Sequence, residues 1–146
     1  LVLAGTADIN GKGNALDNTI TGNAGHNVLE GGAGRDTLNG GGGGDTFVFN
    51  TTTGSANIDR ITTFDHDVDT IQFDRDYFFG QWPGMLHAGG VNFGTTATEA
   101  DDRIIYDATS GALYFDPDGN GAREGFKFAI ITMLTGTLDH TDFFFV

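Results

Sequence analysis

Large apolar residues recur at fixed intervals near the N-terminus: Ile20, Leu29, Leu38 and Phe47, always nine apart. Polar residues flank them, as in Thr19-Ile20-Thr21 and Thr37-Leu38-Asn39. Such triplets predict short strands whose middle residue points inward. Six glycine-rich residues precede each triplet, so the unit is a turn followed by a strand. Gly31 to Asn39 and Gly40 to Val48 both fit G-G-x-G-x-D-x-U-x, where U is large and apolar. Two weaker copies run from Gly13 to Thr21 and from Gly22 to Glu30, with Asn18 and Asn27 at the acidic place. A flexible glycine linker would need neither the fixed apolar residue nor the acid or amide two places before it.

Beyond Phe47 the pattern changes. Strand signals appear at Phe47-Val48-Phe49, Ile58 to Phe64, Thr70 to Phe73 and Phe126 to Ile131. Arg103 to Tyr106 and Leu113 to Phe115 flank Thr109-Ser110-Gly111 and predict a β-hairpin. Residues 75–100 are less regular, with a turn at Trp82-Pro83-Gly84. Helix signals are weak, the clearest being a turn from Thr137 to Asp142. The expected fold is all-β: a parallel β-roll over residues 1–49, capped by a β-sandwich-like region over residues 50–146. Composition supports that division. Thirteen of the 24 glycines lie in residues 1–44, and all 13 phenylalanines lie at or after Phe47.

The turns carry candidate chemistry. Glycine tolerates positive φ, so a glycine-rich turn can aim several carbonyls inward. Calcium takes six to eight oxygen ligands from carbonyls and carboxylates. Successive units should lie on opposite sides of a flattened coil, which puts same-side turns eighteen residues apart. Asn18 then pairs with Asp36, and Asn27 with Asp45. The carbonyls of Gly31, Ala33, Gly40 and Gly42 are the candidate backbone ligands. Each such site has one charged ligand, which argues for modest affinity.

Charge extends this picture. The net charge is −13, and 17 of the 20 acids are Asp. That disfavours nucleic acid and anionic membranes as partners. Without cations the acids repel one another, so metal binding should become folding free energy. The chain has no Cys, which suits a protein stapled by metal. No apolar run is long enough to span a membrane. The chain starts at Leu1 with no initiator Met or signal peptide, and reads as the C-terminal piece of a longer protein.

Two further acidic clusters stand outside the repeats. Asp59 and Asp69 bracket a turn and are candidates to complete a calcium site at the end of the roll. Asp116-Pro117-Asp118-Gly119-Asn120-Gly121 matches the first half of an EF-hand loop, but Lys127 stands where a bidentate Glu is required. It reads as a hairpin loop held by Asx-type hydrogen bonds. No H-E-x-x-H, G-x-S-x-G or Walker loop occurs, and His26, His66, His87 and His140 are scattered, so the fragment itself is expected not to be an enzyme.

The nonapeptides resemble those of the hemolysin-type calcium-binding (RTX) family. Asp59-Arg60-Ile61 through Phe64, then Asp69-Thr70-Ile71, is similar to the segment after the repeats in serralysin-type C-terminal domains, with Thr63 where that pattern has Asp. Residues Asp102 to Ala129 resemble the last hairpin of bacterial RTX exoproteins. Asp142-Phe143-Phe144-Phe145-Val146 resembles the acid-plus-apolar tail of type I secretion substrates. The resemblance implies a secreted, extracellular, monomeric module that binds Ca2+, is exported by a type I ABC transporter machine and is covalently attached to an upstream domain. It also implies that removing Phe143 to Val146 stops export and leaves folding nearly intact. An alternative is an accessory polysaccharide-binding module, which exposed aromatics and basic residues on one roll face would favour. The repeat strands present only Thr, Asn, Glu and Val outward, which counts against it. An adhesin or ice-binding segment would need a longer and more regular array.

Overall fold

A computed structural model describes residues 1–52, 54–78 and 90–146. The turn at Trp82-Pro83-Gly84, and His87, lie outside the described residues. The described chain is almost entirely β and forms two facing sheets.

The repeats supply the first strands: β1 (Gly11–Lys12), β2 (Thr19–Thr21), β3 (Val28–Glu30), β4 (Thr37–Asn39) and β5 (Thr46–Phe49). They alternate between the sheets. β2 pairs with β4 in parallel, matching Ile20 to Leu38, and β3 pairs with β5, matching Leu29 to Phe47. The nine-residue spacing thus becomes an eighteen-residue rung in each sheet. Ile20, Leu29, Leu38 and Phe47 are all buried between the layers. The parallel β-roll expected from the sequence is present.

Winding continues past the last repeat. β6 (Asp59–Ile61) stacks on β4 with Ile61 opposite Leu38, and β8 (Thr70–Phe73) stacks on β5 with Ile71 opposite Phe47. These rungs are 23 and 24 residues apart instead of 18, so the chain adds one more coil through longer turns. Between them, β7 (Phe64–Asp65) makes a small separate ladder with β13 (Leu134–Thr135). A single helical turn, α1 (Arg75–Phe78), follows β8.

The C-terminal part extends the same two sheets. β9 (Val91–Phe93), β10 (Ile104–Asp107), β11 (Ala112–Phe115) and β12 (Phe126–Ile131) complete the first, in the order β2-β4-β6-β12-β11-β10-β9. β10 and β11 form the expected antiparallel hairpin. The last strand, β14 (Phe143–Phe145), closes the second sheet, β1-β3-β5-β8-β14, in parallel with β8. Phe-rich where the repeats are Gly-rich, this region fills the layer between the sheets. The Phe73 ring stands 5.2 Å from that of Phe128 edge-on and 5.0 Å from that of Phe145 stacked. Edge-on and offset stacking are the favoured aromatic arrangements.

One expectation is corrected here. Phe143 and Phe145 are 5% and 3% exposed and belong to the core, while Phe144 points outward. The tail is an edge strand with ladder bonds and ring contacts, so its removal cannot leave folding nearly intact.

Candidate metal centre

The turns stack along the two long edges of the roll and bring the sixth residues of same-side units together. On one edge the Asn18 N–H donates to Asp36 Oδ1 at 2.7 Å, and the Asp36 N–H donates to Asp59 Oδ1 at 2.9 Å. On the other, the Asn27 N–H donates to Asp45 Oδ1 at 2.9 Å, and the Asp45 N–H to Asp69 Oδ1 at 2.8 Å. Asn18 meets Asp36 and Asn27 meets Asp45, as the eighteen-residue spacing requires. Asp59 and Asp69 each add a further carboxylate to the row.

Amide and carboxylate turns use their side chains differently. The Asn18 side-chain oxygen closes its own turn by accepting from the Asn14 N–H at 2.7 Å, and Asn27 accepts likewise from the Asn23 N–H at 2.8 Å. Asp69 behaves like these amides, its Oδ2 accepting from the Asp65 N–H at 2.9 Å. Asp36 does not. Its Oδ2 is fully buried and accepts from no donor. A buried carboxylate oxygen without a partner is costly unless a cation meets it.

The glycines explain how the turns come so close. A Cβ on Gly31 would lie 2.3 Å from Asp36 Oδ2, and one on Gly40 2.2 Å from Asp45 Oδ2. The sixth residue therefore folds back over the first, which has to lack a side chain. Between coils, a Cβ on Gly13 would lie 2.1 Å from the Gly31 carbonyl oxygen, and one on Gly22 1.9 Å from that of Gly40. Those two carbonyls face the preceding coil. Ala33 is half-buried at its turn, and Gly42 is exposed with open space beside it. Gly32 and Gly34 take φ of 101° and 113°, and Gly41 and Gly43 take 97° and 94°. The turns of the two weaker units contain no residue with positive φ. Their tighter side-chain closure replaces the left-handed glycines.

Electrostatics single out the same residues. Asp36, Asp45, Asp59 and Asp69 are all buried, and desolvation raises the carboxyl pKa of each. Asp59 is the extreme case, pushed from 3.8 to about 7, with the Asp36 charge adding to the burial effect. Rows of buried acids that resist ionisation are what a divalent cation would relieve.

A family comparison bears on these turns. The model of the RTX calcium-binding nonapeptide repeat matches in four copies. Residues 12–47 are RTX repeats. The match lies one residue out of step with the Gly13 to Val48 frame and covers the same four units. No curated protein matches the chain. The RTX repeats contain eight of the ten candidate site residues: Asn18, Asn27, Gly31, Ala33, Asp36, Gly40, Gly42 and Asp45. Asp59 and Asp69 lie beyond them, in the coil that continues the RTX roll without its consensus. No helix among the described residues is long and apolar enough to cross a membrane.

Sequence reasoning missed one cluster. His66 Nδ1 lies 3.0 Å from an oxygen of Asp142, 76 residues away. Candidate ligand atoms of His66, Asp139 and Asp142 all fall within 4.8 Å of one another. The hydrogen bond to Asp142 raises the His66 pKa, and burial raises that of Asp142. No periodicity links these positions, so the sequence carried no signal for them. The loop at Asp116 forms the expected Asx-type turn, with the Asp118 N–H donating to Asp116 Oδ1 at 3.1 Å. Asp118 Oδ1 is buried there without a donor.

Proposed function

We propose that this chain is a calcium-binding β-roll that folds on meeting calcium outside the cell and carries the type I secretion signal of a larger exoprotein. The observation that carries the calcium reading is the buried, unpartnered Asp36 Oδ2 in a row of stacked carboxylates. The residues fit the ion. Asp36 and Asp59 would hold it on one edge of the roll, and Asp45 and Asp69 on the other. The Gly31 and Gly40 carbonyls, with Ala33 and Gly42 at their turns, supply neutral oxygens. When bound, calcium neutralises acids that otherwise raise the free energy of the folded state. The chain's own residues set the cage through glycines that let neighbouring turns approach.

Export and extracellular folding rest on the resemblance of the repeats and of the acid-plus-apolar tail to type I secretion substrates. In this reading the fragment itself is a folding and export module without enzymatic activity. The test is far-UV circular dichroism during a calcium titration from chelator, beside an Asp36→Ala/Asp45→Ala double variant. A coil-to-β transition that moves to much higher calcium in the variant supports the reading. A fragment already folded in chelator and indifferent to both substitutions overturns it.

A further inference from the structure

The chain has 20 acids against 7 bases, yet four of those bases gather on one outer surface. β6 and β12 lie side by side in the first sheet, with Thr37 opposite Arg60 and Arg60 opposite Ile130. Tyr114 on β11 stands opposite Lys127 on β12. Paired positions project from the same face. The intervening residues Leu38, Ile61, Leu113 and Phe128 point into the core, so Arg60, Lys127 and Tyr114 point out.

Two separate clefts open on this face. Arg35, Arg60 and Lys127 line one of about 250 Å³, floored by Asp36 and Asp59. The Lys127 ammonium stands 5.3 Å from the centre of the Tyr114 ring. That ring lines the other cleft, of about 360 Å³, together with Arg123, Asn120, Asp116 and Glu124. The Arg35 guanidinium donates only to the Ser55 carbonyl oxygen. Among the described residues, Arg35, Arg60, Arg123 and Lys127 form no ion pair with a carboxylate. With Asp36 and Asp59 held by calcium, as proposed above, four bases free of ion pairs stand against Asp116 and Glu124 around a half-buried tyrosine, and that balance suits an anion.

We infer that this face binds a carboxylated polysaccharide, laid across the sheet from Arg35 to Arg123 with a sugar ring against Tyr114. The bases meet the carboxylates, and the aromatic face meets the apolar face of a sugar ring. A polyuronate fits better than a nucleic acid. With a net charge of −13, the protein repels a duplex carrying one charge per ~1.7 Å far more than a sugar chain with one charge per ring. The side chains come from β6, β11 and β12, outside the repeats.

The test is isothermal titration of the whole chain with a short oligouronate in saturating calcium, with the calcium-dependent circular dichroism of each sample recorded beside it. That second readout separates failure of this proposal from failure of the calcium reading. The expected result is binding that weakens with salt and weakens about tenfold in Arg60→Gln/Lys127→Gln, with the variant still reaching the parent's folded spectrum in saturating calcium. Lys12→Gln, on the other sheet and paired with Glu30 at 2.7 Å, should bind as the parent does. Absence of binding by the parent chain overturns the proposal. So does equal loss in Lys12→Gln, or equal binding of single-stranded DNA or anionic vesicles.

Discussion

Replacing Asp59 by Asn should stabilise the calcium-free protein and weaken the calcium-bound one. Asp59 is 4% exposed, and its carboxyl is pushed from 3.8 to about 7 by burial and by Asp36. A folded-state pKa above the unfolded one means that the folded form binds the proton more tightly. That stability is fully present below pH 3.8 and is lost as pH rises through about 7. At ~1.4 kcal/mol per pH step, Asp59 costs on the order of 4 kcal/mol at pH 8, where it is ionised, and about 2 kcal/mol at pH 5, where the folded state must take up a proton. Asn keeps the oxygen that accepts from the Asp36 N–H and has no charge to desolvate. Urea unfolding in chelator should therefore show the variant gaining at both pH values, and gaining about 3 kcal/mol more at pH 8. If the parent is already unfolded at pH 8, the gain appears as a larger folded fraction by circular dichroism. In calcium the order reverses, because a charged ligand has gone and affinity follows ligand charge. A gain equal at pH 5 and pH 8, or none in chelator, would refute the argument that ionisation of Asp59 opposes folding.

The remaining expectations test neighbouring parts of the argument. Gly31→Ala puts a methyl 2.3 Å from Asp36 Oδ2 and should raise the calcium midpoint several-fold, whereas Gly42→Ala, with nothing within 4 Å, should leave it unmoved; a calcium titration by circular dichroism compares them. Phe145→Ala empties a place stacked on Phe73 and should cost about 3–5 kcal/mol in urea unfolding, while outward Phe144→Ala should cost under ~0.5 kcal/mol. If Phe144→Ala still blocks export, the tail serves as a signal apart from its role in the core. Below pH 4 the calcium-free protein should lose stability again. At Asp102 burial acts upward but is outweighed by donors from Glu99, Thr98 and Asn92, so its pKa is lowered and its contribution disappears as pH falls through that value; an acid titration of folded fraction reads it.

By itself, the sequence determined what depends on short repeating distances. A nine-residue period fixes which residues face inward, because strand side chains alternate and each turn has constant length. That period yields the inward ladder of Ile20, Leu29, Leu38 and Phe47, the Asn18–Asp36 and Asn27–Asp45 contacts, and the glycines that leave room for them. The hairpin of β10 and β11 was legible for a similar reason, since a short turn limits the possible partners.

Only the tertiary structure decided what depends on distant pairing. Asp59 stands over Asp36 and Asp69 over Asp45 through steps of 23 and 24 residues that no period announces. Phe143 reaches Ile71 across 72 residues, and this turns the tail into core. The cost of closing a loop grows only slowly with its length, so the chain offers no local rule for choosing among remote partners. Apolar burial between the sheets makes that choice. Through it Arg60, Tyr114 and Lys127, far apart in the sequence, come to share one outer face, while the repeat strands alone present little but small polar residues there.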